Sequence, residues 1–211
     1  MVRWQPGTSE RLQAAALELF AVRGYEQTTA AEIAQSVGLT ERTFFRHFSD
    51  KREVLFRGQE RMTEAFLAGI AQAPSAATPM ELVGAALDSG AALFPGERRG
   101  PSRLRQSVID QNPALQERER LKLSGLTAAI SDALRARGVA EPAATLAAES
   151  AGMVLGIAFT QWIREGEERS ISDIVHELLA ELRGLTGTSP TDRPRRQPTI
   201  SSAGRSPMTR T

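Results

Sequence analysis

The hydrophobic positions of this chain recur at the three- and four-residue spacing of amphipathic α-helices. Leu12, Ala16 and Phe20 follow this spacing near the N-terminus and predict a first helix over residues 8–23. No segment alternates apolar and polar residues in the way of a half-buried strand. An all-α fold of about nine helices is therefore expected.

Residues 28–51 predict two short helices joined by a tight turn, followed by the start of another helix. Thr29 and Glu32 have the spacing of a capping box at the beginning of helix 2. Gly38 is placed to end that helix in the left-handed conformation, and Thr40 is a candidate N-cap for helix 3. A glycine-containing turn between two short helices is the helix-turn-helix pattern.

Helix 3 has one apolar side and one polar side. Phe44 and Phe48 fall together on a helical wheel, with Glu41 and Phe45 beside them. The opposite side carries Arg42, Thr43, Arg46 and His47. Arginines suit guanine edges or phosphates, and Thr and His suit phosphate oxygens. The pattern by itself leaves two interpretations open, a reader of the DNA major groove or a solvated basic face.

The run from Arg11 to Leu55 resembles the DNA-binding domain of the tetracycline-repressor (TetR) family of bacterial regulators. The matching residues are Ala15, Ala16, Leu19, Phe20, Gly24, Tyr25, Thr28, Thr29, Ile33, Ala34, Val37, Gly38, Leu39, Thr43, His47, Phe48 and Lys51. The resemblance implies that helix 3 lies in the major groove. It also implies phosphate contacts by Thr29, Thr43, His47 and Lys51.

Two positions depart from the family pattern. Position 42 is commonly Gly and is Arg here, which adds a potential base or phosphate contact. Position 45 is commonly Tyr and is Phe here, which removes a phenolic donor. The predicted DNA contacts are Thr29, Thr40, Arg42, Thr43, Phe45, Arg46, His47 and Lys51.

The remaining helices are delimited by Pro, Gly and capping residues. Asp50 and Glu53 repeat the capping-box spacing at the start of helix 4. Helix 4 is predicted as one helix over residues 51–71 that is shared between two cores and transmits movement from one to the other. Helices 5 to 9 are predicted over residues 78–93, 102–111, 113–137, 142–164 and 172–183.

The last two helices carry small and branched apolar residues at helical spacing. This pattern is typical of an intramolecular core, and the family resemblance implies instead a four-helix interface between two subunits. The predicted interface residues are Ala148, Gly152, Gly156, Ile174, Leu178 and Leu182. A two-fold dimer places two recognition helices about 34–36 Å apart on a palindromic operator.

Apolar residues of helices 4 to 8 are candidates for a lipophilic ligand pocket, although each also suits ordinary core. They are Met62, Phe66, Phe94, Leu104, Val108, Leu126, Ile130, Met153, Ile157 and Trp162, with Arg105 as a charged candidate beside them. Residues 102–122 resemble a TetR subgroup with an acyl-CoA-like ligand-binding C-terminal domain. Arg103 and Arg105 fit either a ligand phosphate or carboxylate, or an ordinary protein surface.

Composition excludes several classes of function. The chain has 211 residues, a net charge of +1, no Cys and two His, so disulfide, thiolate and metal chemistry are not expected. No nucleophile–base set, paired carboxylates or nucleotide-binding loop appears, so neither an enzyme nor a cofactor is predicted. The N-terminus has no long apolar stretch, and the apolar run over residues 150–163 is shorter than a membrane span. A cytoplasmic, nucleoid-associated bacterial protein is expected.

Three regions are predicted. Residues 6–66 form a helix-turn-helix domain with its motif at about 29–48, and residues 67–185 form a ligand-binding and dimerisation domain. Residues 186–211, with five Arg and one Asp, form a disordered basic tail. The expected function is a homodimeric repressor that a lipophilic small molecule releases from a palindromic operator. The alternative is a helical protein-interaction module that no longer binds specific DNA.

Overall fold

The computed structural model describes residues 7–187, and this range contains nine α-helices and no strand. The helices are α1 (Thr8–Arg23), α2 (Ala30–Ser36), α3 (Glu41–His47), α4 (Gln59–Gln72), α5 (Pro79–Ala91), α6 (Arg99–Asp110), α7 (Pro113–Ala136), α8 (Ala143–Trp162) and α9 (Ile171–Gly187). Short 3₁₀ turns at Arg52–Phe56 and Gly96–Arg98 precede α4 and α6. The all-α prediction is confirmed. The predicted tail beyond residue 187 lies outside the described residues.

The single helix predicted over residues 51–71 is wrong, because the chain breaks between two segments. After the Arg52–Phe56 turn, Arg57 is extended and Gly58 takes the left-handed conformation at φ 92°. A residue with a Cβ adopts that conformation only with strain, so the glycine fixes the break. The beginning of α4 therefore lies at Gln59, beyond the helix-turn-helix region.

Three other boundaries differ from the sequence prediction. Helix α6 begins at Arg99, three residues before its predicted start at residue 102. Pro101 is compatible with the first turn, because the N–H that proline lacks would have no partner within the helix there. The predicted helix over 142–164 is α8 over Ala143–Trp162, and α9 continues past its predicted end to Gly187.

The N-terminal core contains residues from both halves of the chain. Apolar side chains of α1, α2, α3 and the Arg52–Phe56 turn pack together, with Phe44 fully buried. Val108 and Ile109 at the end of α6 and Leu115 at the start of α7 complete this cluster. The α6–α7 corner is thus part of the core that holds the short helices.

The C-terminal core lies among α4, α5, α7, α8 and α9 and includes the buried Trp162. Glycines set the closest approach of its helices. A Cβ at Gly69 of α4 would overlap the backbone of Ala85 and Ala86 in α5, and a Cβ at Gly90 would overlap the Phe66 ring. The interior around Phe66 is consequently filled.

Helix α8 is apolar around most of its circumference. Its 20 residues are long and apolar enough to cross a membrane by length and composition alone, and 39% of that window is buried. The apolar helix is therefore longer than the run over residues 150–163 that the sequence analysis judged too short to span a membrane. Its buried side packs in the C-terminal core with Ala148, Ala151 and Leu155, as the core helix of a bundle does.

A charged cluster joins the Arg52–Phe56 turn to α7. The Glu53 carboxylate accepts from Arg118 at 2.7 Å and from Lys122 at 3.0 Å. Its spacing from Asp50 predicted a capping box, but only Asp50 acts as a cap, accepting from the backbone N–H groups of residues 52 and 53. Burial raises the pKa of Glu53, and the two cations outweigh that effect and lower it overall.

A second connection runs from α6 to the same turn. Arg105 donates Nε to the Leu55 carbonyl oxygen at 2.7 Å and Nη1 to Glu119 at 2.9 Å. Its guanidinium lies 5.2 Å from the centroid of the Phe56 ring. The two halves of the protein are therefore joined by apolar packing and by charged groups at one junction.

Gly69→Ala is expected to lower the free energy of unfolding by about 1–3 kcal/mol, because the added methyl group overlaps the backbone of α5. Gly125→Ala on the exposed side of α7 is the matched control, and it should stabilise by about 0.5–1 kcal/mol. Urea denaturation followed by circular dichroism measures both. Equal effects of the two changes would contradict the close helix approach.

Glu53→Gln is expected to lower stability at neutral pH, because it removes the charge that two cations bind. The folded-state pKa lies below the ordinary 4.5, so the carboxylate stabilises the fold above that pH and loses the contribution as pH falls through the folded pKa. The stability difference between wild type and variant should therefore shrink below pH 4.5. Glu165→Gln, in the exposed α8–α9 loop, is the control. A pH-independent difference would show that the ion pairs are not its source.

Candidate nucleic-acid interface

The helix-turn-helix is built by two side-chain caps. Thr29 and Glu32 form both bonds of a capping box, at 3.2 Å from the Glu32 N–H to Thr29 Oγ1 and 2.8 Å from the Thr29 N–H to Glu32 Oε2. Gly38 then turns the chain at φ 73°. Thr40 caps α3 by accepting from the Thr43 N–H at 3.3 Å. These local expectations from the sequence are confirmed.

The two sides of α3 separate as the helical wheel predicts. Phe44 and Phe48 are buried, with ring centroids 5.2 Å apart. Arg42, Arg46 and His47 are exposed, and Thr43 is partly buried. Phe45 keeps 49% of its surface exposed, although its ring also meets Phe44 edge-on. The outward side of α3 therefore offers two guanidinium groups, an imidazole and one aromatic ring.

The threonine hydroxyls in this region already have partners. Thr29 Oγ1 donates to Glu32 Oε2 at 2.9 Å, and a hydroxyl has only one proton to donate. Thr40 and Thr43 share a hydrogen bond of 3.1 Å between their hydroxyls, so one proton of that pair remains available. A phosphate oxygen could accept the hydroxyl proton of Thr29 only if the hydrogen bond from Thr29 to Glu32 were broken.

Lys51 is held within the protein. Its Nζ donates to the carbonyl oxygens of Tyr25 at 2.7 Å and Thr28 at 2.9 Å, and lies 4.1 Å from the centroid of the Tyr25 ring. Burial lowers its pKa. Two of its three N–H groups are used, and one remains for another acceptor. Sequence reasoning missed this bond between the α1–α2 turn and the segment after α3.

The predicted ligand-pocket residues do not surround one cavity. Phe66, Leu126, Ile130 and Trp162 are buried in the C-terminal core, with Met62 at its edge. Val108 lies in the N-terminal core, and Met153 and Ile157 are on the outside of α8 with 49% and 42% of their surface exposed. The prediction of a shared pocket for these residues is wrong for two reasons. Helix α8 has apolar side chains on both its inner and outer sides, and Val108 belongs to the other core.

Arg103 and Arg105, which the sequence left open between a ligand anion and the protein surface, both bind protein groups. Arg105 is occupied by Leu55 and Glu119, as described above. Arg103 donates to the carbonyl oxygens of Ile163 at 2.6 Å and Arg164 at 2.9 Å, just past the end of α8. These bonds pair carbonyl groups that a helix terminus leaves free.

Part of the predicted dimer interface is wrong, because Ala148 and Ile174 are both 0% exposed in the core of a single chain. Gly152 faces α7, since a Cβ there would lie 2.8 Å from Thr127 Oγ1. Leu178 and Leu182 are partly buried against the C-terminal core, and Gly156 is exposed. The exposed apolar side of α8 is formed by Leu146, Met153 and Ile157, which we call the α8 strip.

Two family models match the chain. The model described as bacterial regulatory proteins of the tetR family matches residues 12–57. The model described as the MftR C-terminal domain matches residues 77–186, which is more than half of the chain. The first match covers the helix-turn-helix and the second covers the helices from α5 onward.

A curated relative matches over a shorter stretch. The HTH-type transcriptional regulator TcmR of Streptomyces glaucescens is 42% identical over 79 residues, which are 37% of this chain and 35% of the relative. The match thus spans about a third of that relative's length.

Solved structures share the fold across most of the chain. FadR from Bacillus halodurans has a TM-score of 0.58 at 16% identity, covering 86% of this chain and 97% of that one. FadR from Bacillus subtilis, in complex with stearoyl-CoA, has a TM-score of 0.58 at 19% identity, covering 82% and 96%. FadR from Thermus thermophilus, in complex with lauroyl-CoA, has a TM-score of 0.53 at 21% identity, covering 88% and 97%.

The family matches, the helix-turn-helix with its polar α3 side and the shared all-α fold agree with one another. Proteins of this family are transcriptional regulators and not enzymes. The chain belongs to the TetR family of bacterial DNA-binding transcriptional regulators.

Proposed function

We propose that this protein is a homodimeric, ligand-responsive repressor that binds a palindromic operator in the cytoplasm, in association with the nucleoid. The observation that carries the proposal is the outward side of α3, where Arg42, Arg46 and His47 are exposed on a helix whose other side is buried. Guanidinium groups on a major-groove helix contact guanine edges or phosphates. Residues 6–66 supply the DNA contacts and residues 67–185 supply the effector and dimer functions.

The proposed contacts divide by chemistry. Arg42 and Arg46 reach base edges or phosphates, and Phe45 offers an apolar surface for a thymine methyl group or a sugar. Thr43 and His47 contact the phosphate backbone of the DNA. Thr29 and Thr40, at the starts of α2 and α3, contact the DNA beside them. Lys51 has one N–H left for a phosphate after its two internal bonds. The phosphate contacts fix the position of α3, and the arginines supply the base preference.

The α8 strip supports dimer formation. Leu146, Met153 and Ile157 follow a spacing of seven and four residues, which places them on one side of the helix. Three large apolar side chains exposed in a row gain stability when a second copy covers them. Gly156 beside them allows close approach. A two-fold pair presents two α3 helices to successive major grooves about 34–36 Å apart.

Release by a small molecule follows from linkage. A ligand that binds better to a form with a different α3 separation lowers the affinity for DNA. DNA lowers the affinity for that ligand by the same factor. The B. subtilis and T. thermophilus neighbours were solved with acyl-CoA ligands. In this chain Arg103 and Arg105 are already bound to protein groups, so they do not favour a CoA phosphate at that place.

Three features of the helix-turn-helix favour the alternative of an interaction module without DNA binding. Thr29 donates its hydroxyl proton to Glu32, Lys51 is tied to two carbonyl groups, and Phe45 lacks a phenolic donor. Selection of bound sequences from random duplex DNA by the purified full-length protein separates the two functions. Recovery of one palindromic sequence supports the repressor, and recovery of no enriched sequence supports the interaction module.

Arg46→Ala and Lys51→Ala are expected to act differently. Arg46→Ala removes an exposed group and should weaken operator binding by about 1–3 kcal/mol while leaving thermal stability unchanged. Lys51→Ala removes two charge-assisted hydrogen bonds and should lower the free energy of unfolding by about 1.5–3 kcal/mol. It should also weaken binding uniformly across sequences, with the salt slope reduced by about 0.9 for one lost phosphate contact.

Fluorescence anisotropy at several salt concentrations, beside thermal melts, measures both variants. An unchanged salt slope for Lys51→Ala at reduced stability would limit that residue to holding the α1–α2 turn. Reduced stability of Arg46→Ala would contradict its placement on a solvent-facing side of α3.

Ile157→Glu is expected to convert the dimer to a monomer, because it places a charge in the apolar α8 strip. Leu121→Glu, an exposed leucine on α7 outside the strip, is the matched control and should remain dimeric. Sedimentation equilibrium of both variants measures the mass. A dimeric Ile157→Glu protein would show that the subunits meet elsewhere.

A further inference from the structure

A cleft of about 430 Å³ opens at the end of the bundle where α5, α6, α8 and α9 meet. Its apolar walls include Ala91, Ala92, Phe94 and Trp162. This volume is in the range of small-molecule sites in proteins. Of the residues predicted to line a pocket, Phe94 and Trp162 line this cleft, and Phe66 and the others do not.

Two of the residues that line the cleft are aromatic, Phe94 and Trp162, and Phe159 packs against both of their rings from outside the lining. The Phe94 ring lies 5.8 Å from the Trp162 ring and 5.9 Å from the Phe159 ring, centroid to centroid, with both contacts edge-on. The Arg99 guanidinium lies 5.4 Å from the centroid of the Trp162 ring. A flat aromatic molecule gains contact area and ring interactions against such walls.

Arg99, the first residue of α6, supplies a polar group in this cleft. Its Nη1 and Nη2 donate to the carbonyl oxygens of Glu167 and Arg169 in the α8–α9 loop. Its Nε is buried and has no acceptor, and it is the one such side-chain atom among the described residues. A buried donor without a partner costs about 1–3 kcal/mol, so an oxygen acceptor supplied by a ligand is favoured there.

Carboxylates at the rim restrict the charge of that ligand. Asp88 and Glu168 both line the cleft, and Asp88 is bonded to His176 at 2.7 Å. Their two negative charges exceed the single positive charge of Arg99 among the lining residues, which disfavours carboxylate and phosphate groups. A neutral molecule with a carbonyl or hydroxyl oxygen fits the lining better than an anionic one.

Helix α6 connects the cleft to the DNA-binding half. It begins at Arg99, and near its end Val108 and Ile109 lie in the N-terminal core, about 15 Å from Arg99 at a rise of ~1.5 Å per residue. Between them, Arg105 is bonded to the Leu55 carbonyl oxygen. A displacement at the start of α6 therefore acts on groups that support α3.

We infer that this cleft is the effector site, and that its ligand is a neutral, planar aromatic compound whose oxygen atom accepts a hydrogen bond from Arg99. Because Nε is shielded from solvent, an oxygen reaches it only when the Arg99 side chain turns. Turning moves the guanidinium away from the carbonyl oxygens of Glu167 and Arg169 and removes one attachment of α6, while those of Arg103 and Arg105 remain. The regulatory part of this inference rests on the proposed DNA-binding function, and the ligand class does not.

The test uses two probes of similar ring arrangement. Flavone is neutral, planar and carries a carbonyl acceptor, and 2-phenylnaphthalene lacks the oxygen atoms. Trp4→Phe in the full-length protein leaves Trp162 as the only tryptophan, so its emission reports occupancy of the cleft. Flavone should quench it saturably, and the hydrocarbon should bind about tenfold more weakly, as expected for one lost hydrogen bond.

Three variants in the Trp4→Phe background locate the ligand. Ala92→Leu fills the cleft from its exposed wall and should abolish quenching, whereas Ala128→Leu on the exposed side of α7 should leave it unchanged. Arg99→Met should reduce flavone affinity to that of the hydrocarbon. Absence of saturable quenching, equal affinity for both probes in the parent protein, or flavone binding that survives Ala92→Leu would each overturn the inference. Displacement of flavone by stearoyl-CoA would overturn the neutral ligand class.

The same variants separate this inference from the proposed function. If the operator found by selection is released by flavone from the parent protein but not from Ala92→Leu, the cleft controls DNA binding. If flavone binds in the cleft and no DNA is selected, the repressor function fails and the ligand site stands. If DNA is bound and flavone occupies the cleft without changing operator affinity, the coupling through α6 is wrong.

Discussion

A helix of seven residues does not hold its shape in water, and this constraint on α3 governs the rest of the structure. Its conformation and direction come from packing, through the buried Phe44 and Phe48. The cluster that receives these rings is closed by Val108, Ile109 and Leu115 from the α6–α7 corner. The helix with the DNA-reading chemistry is therefore supported in part by the other half of the chain, and its orientation cannot be independent of that half.

The polar contacts of the junction add to this dependence. Asn112 caps α7 with its side-chain oxygen and donates Nδ2 to Glu26 at 2.8 Å, so one side chain holds the start of α7 and the region after α1. Glu53 is similarly shared with Arg118 and Lys122. Because packed and hydrogen-bonded interfaces have few alternative arrangements, movement of α6 or α7 is expected to shift the helix-turn-helix domain as a body and not to bend it gradually.

Local features of the sequence were predictable, and features that depend on distant partners were not. The caps at Thr29 and Thr40 follow from neighbours three residues away, and the two sides of α3 follow from helical periodicity. The break at Gly58 was missed because a glycine inside a helical pattern is compatible with both a helix and a turn. Glu53 has capping-box spacing, yet its carboxylate binds cations 65 and 69 residues further along.

The errors on α8 have one cause, and the arginines have another. Periodicity identifies which residues of a helix share a side but not which side faces the core, and α8 is apolar on both. Ala148 was therefore assigned to the surface, and Met153 and Ile157 to the interior. A sequence does not distinguish an arginine that binds backbone carbonyl groups from one that faces solvent. The bonds of Arg103 to the end of α8 could therefore not be foreseen.

These bonds fix the position of α6 against the end of α8. If two subunits pair through α8, then α8 is the element whose position is fixed relative to the partner. Arg103 attaches α6 to the end of α8 through the carbonyl oxygens of Ile163 and Arg164, and Arg105 attaches it to the Leu55 carbonyl oxygen of the DNA-binding half. The distance between the two α3 helices then depends on how α6 sits between these attachments. Arg99 adds a third attachment at the start of α6, to the α8–α9 loop. A site there is well placed to change that distance, because a ligand can release this attachment and leave the dimer contact intact.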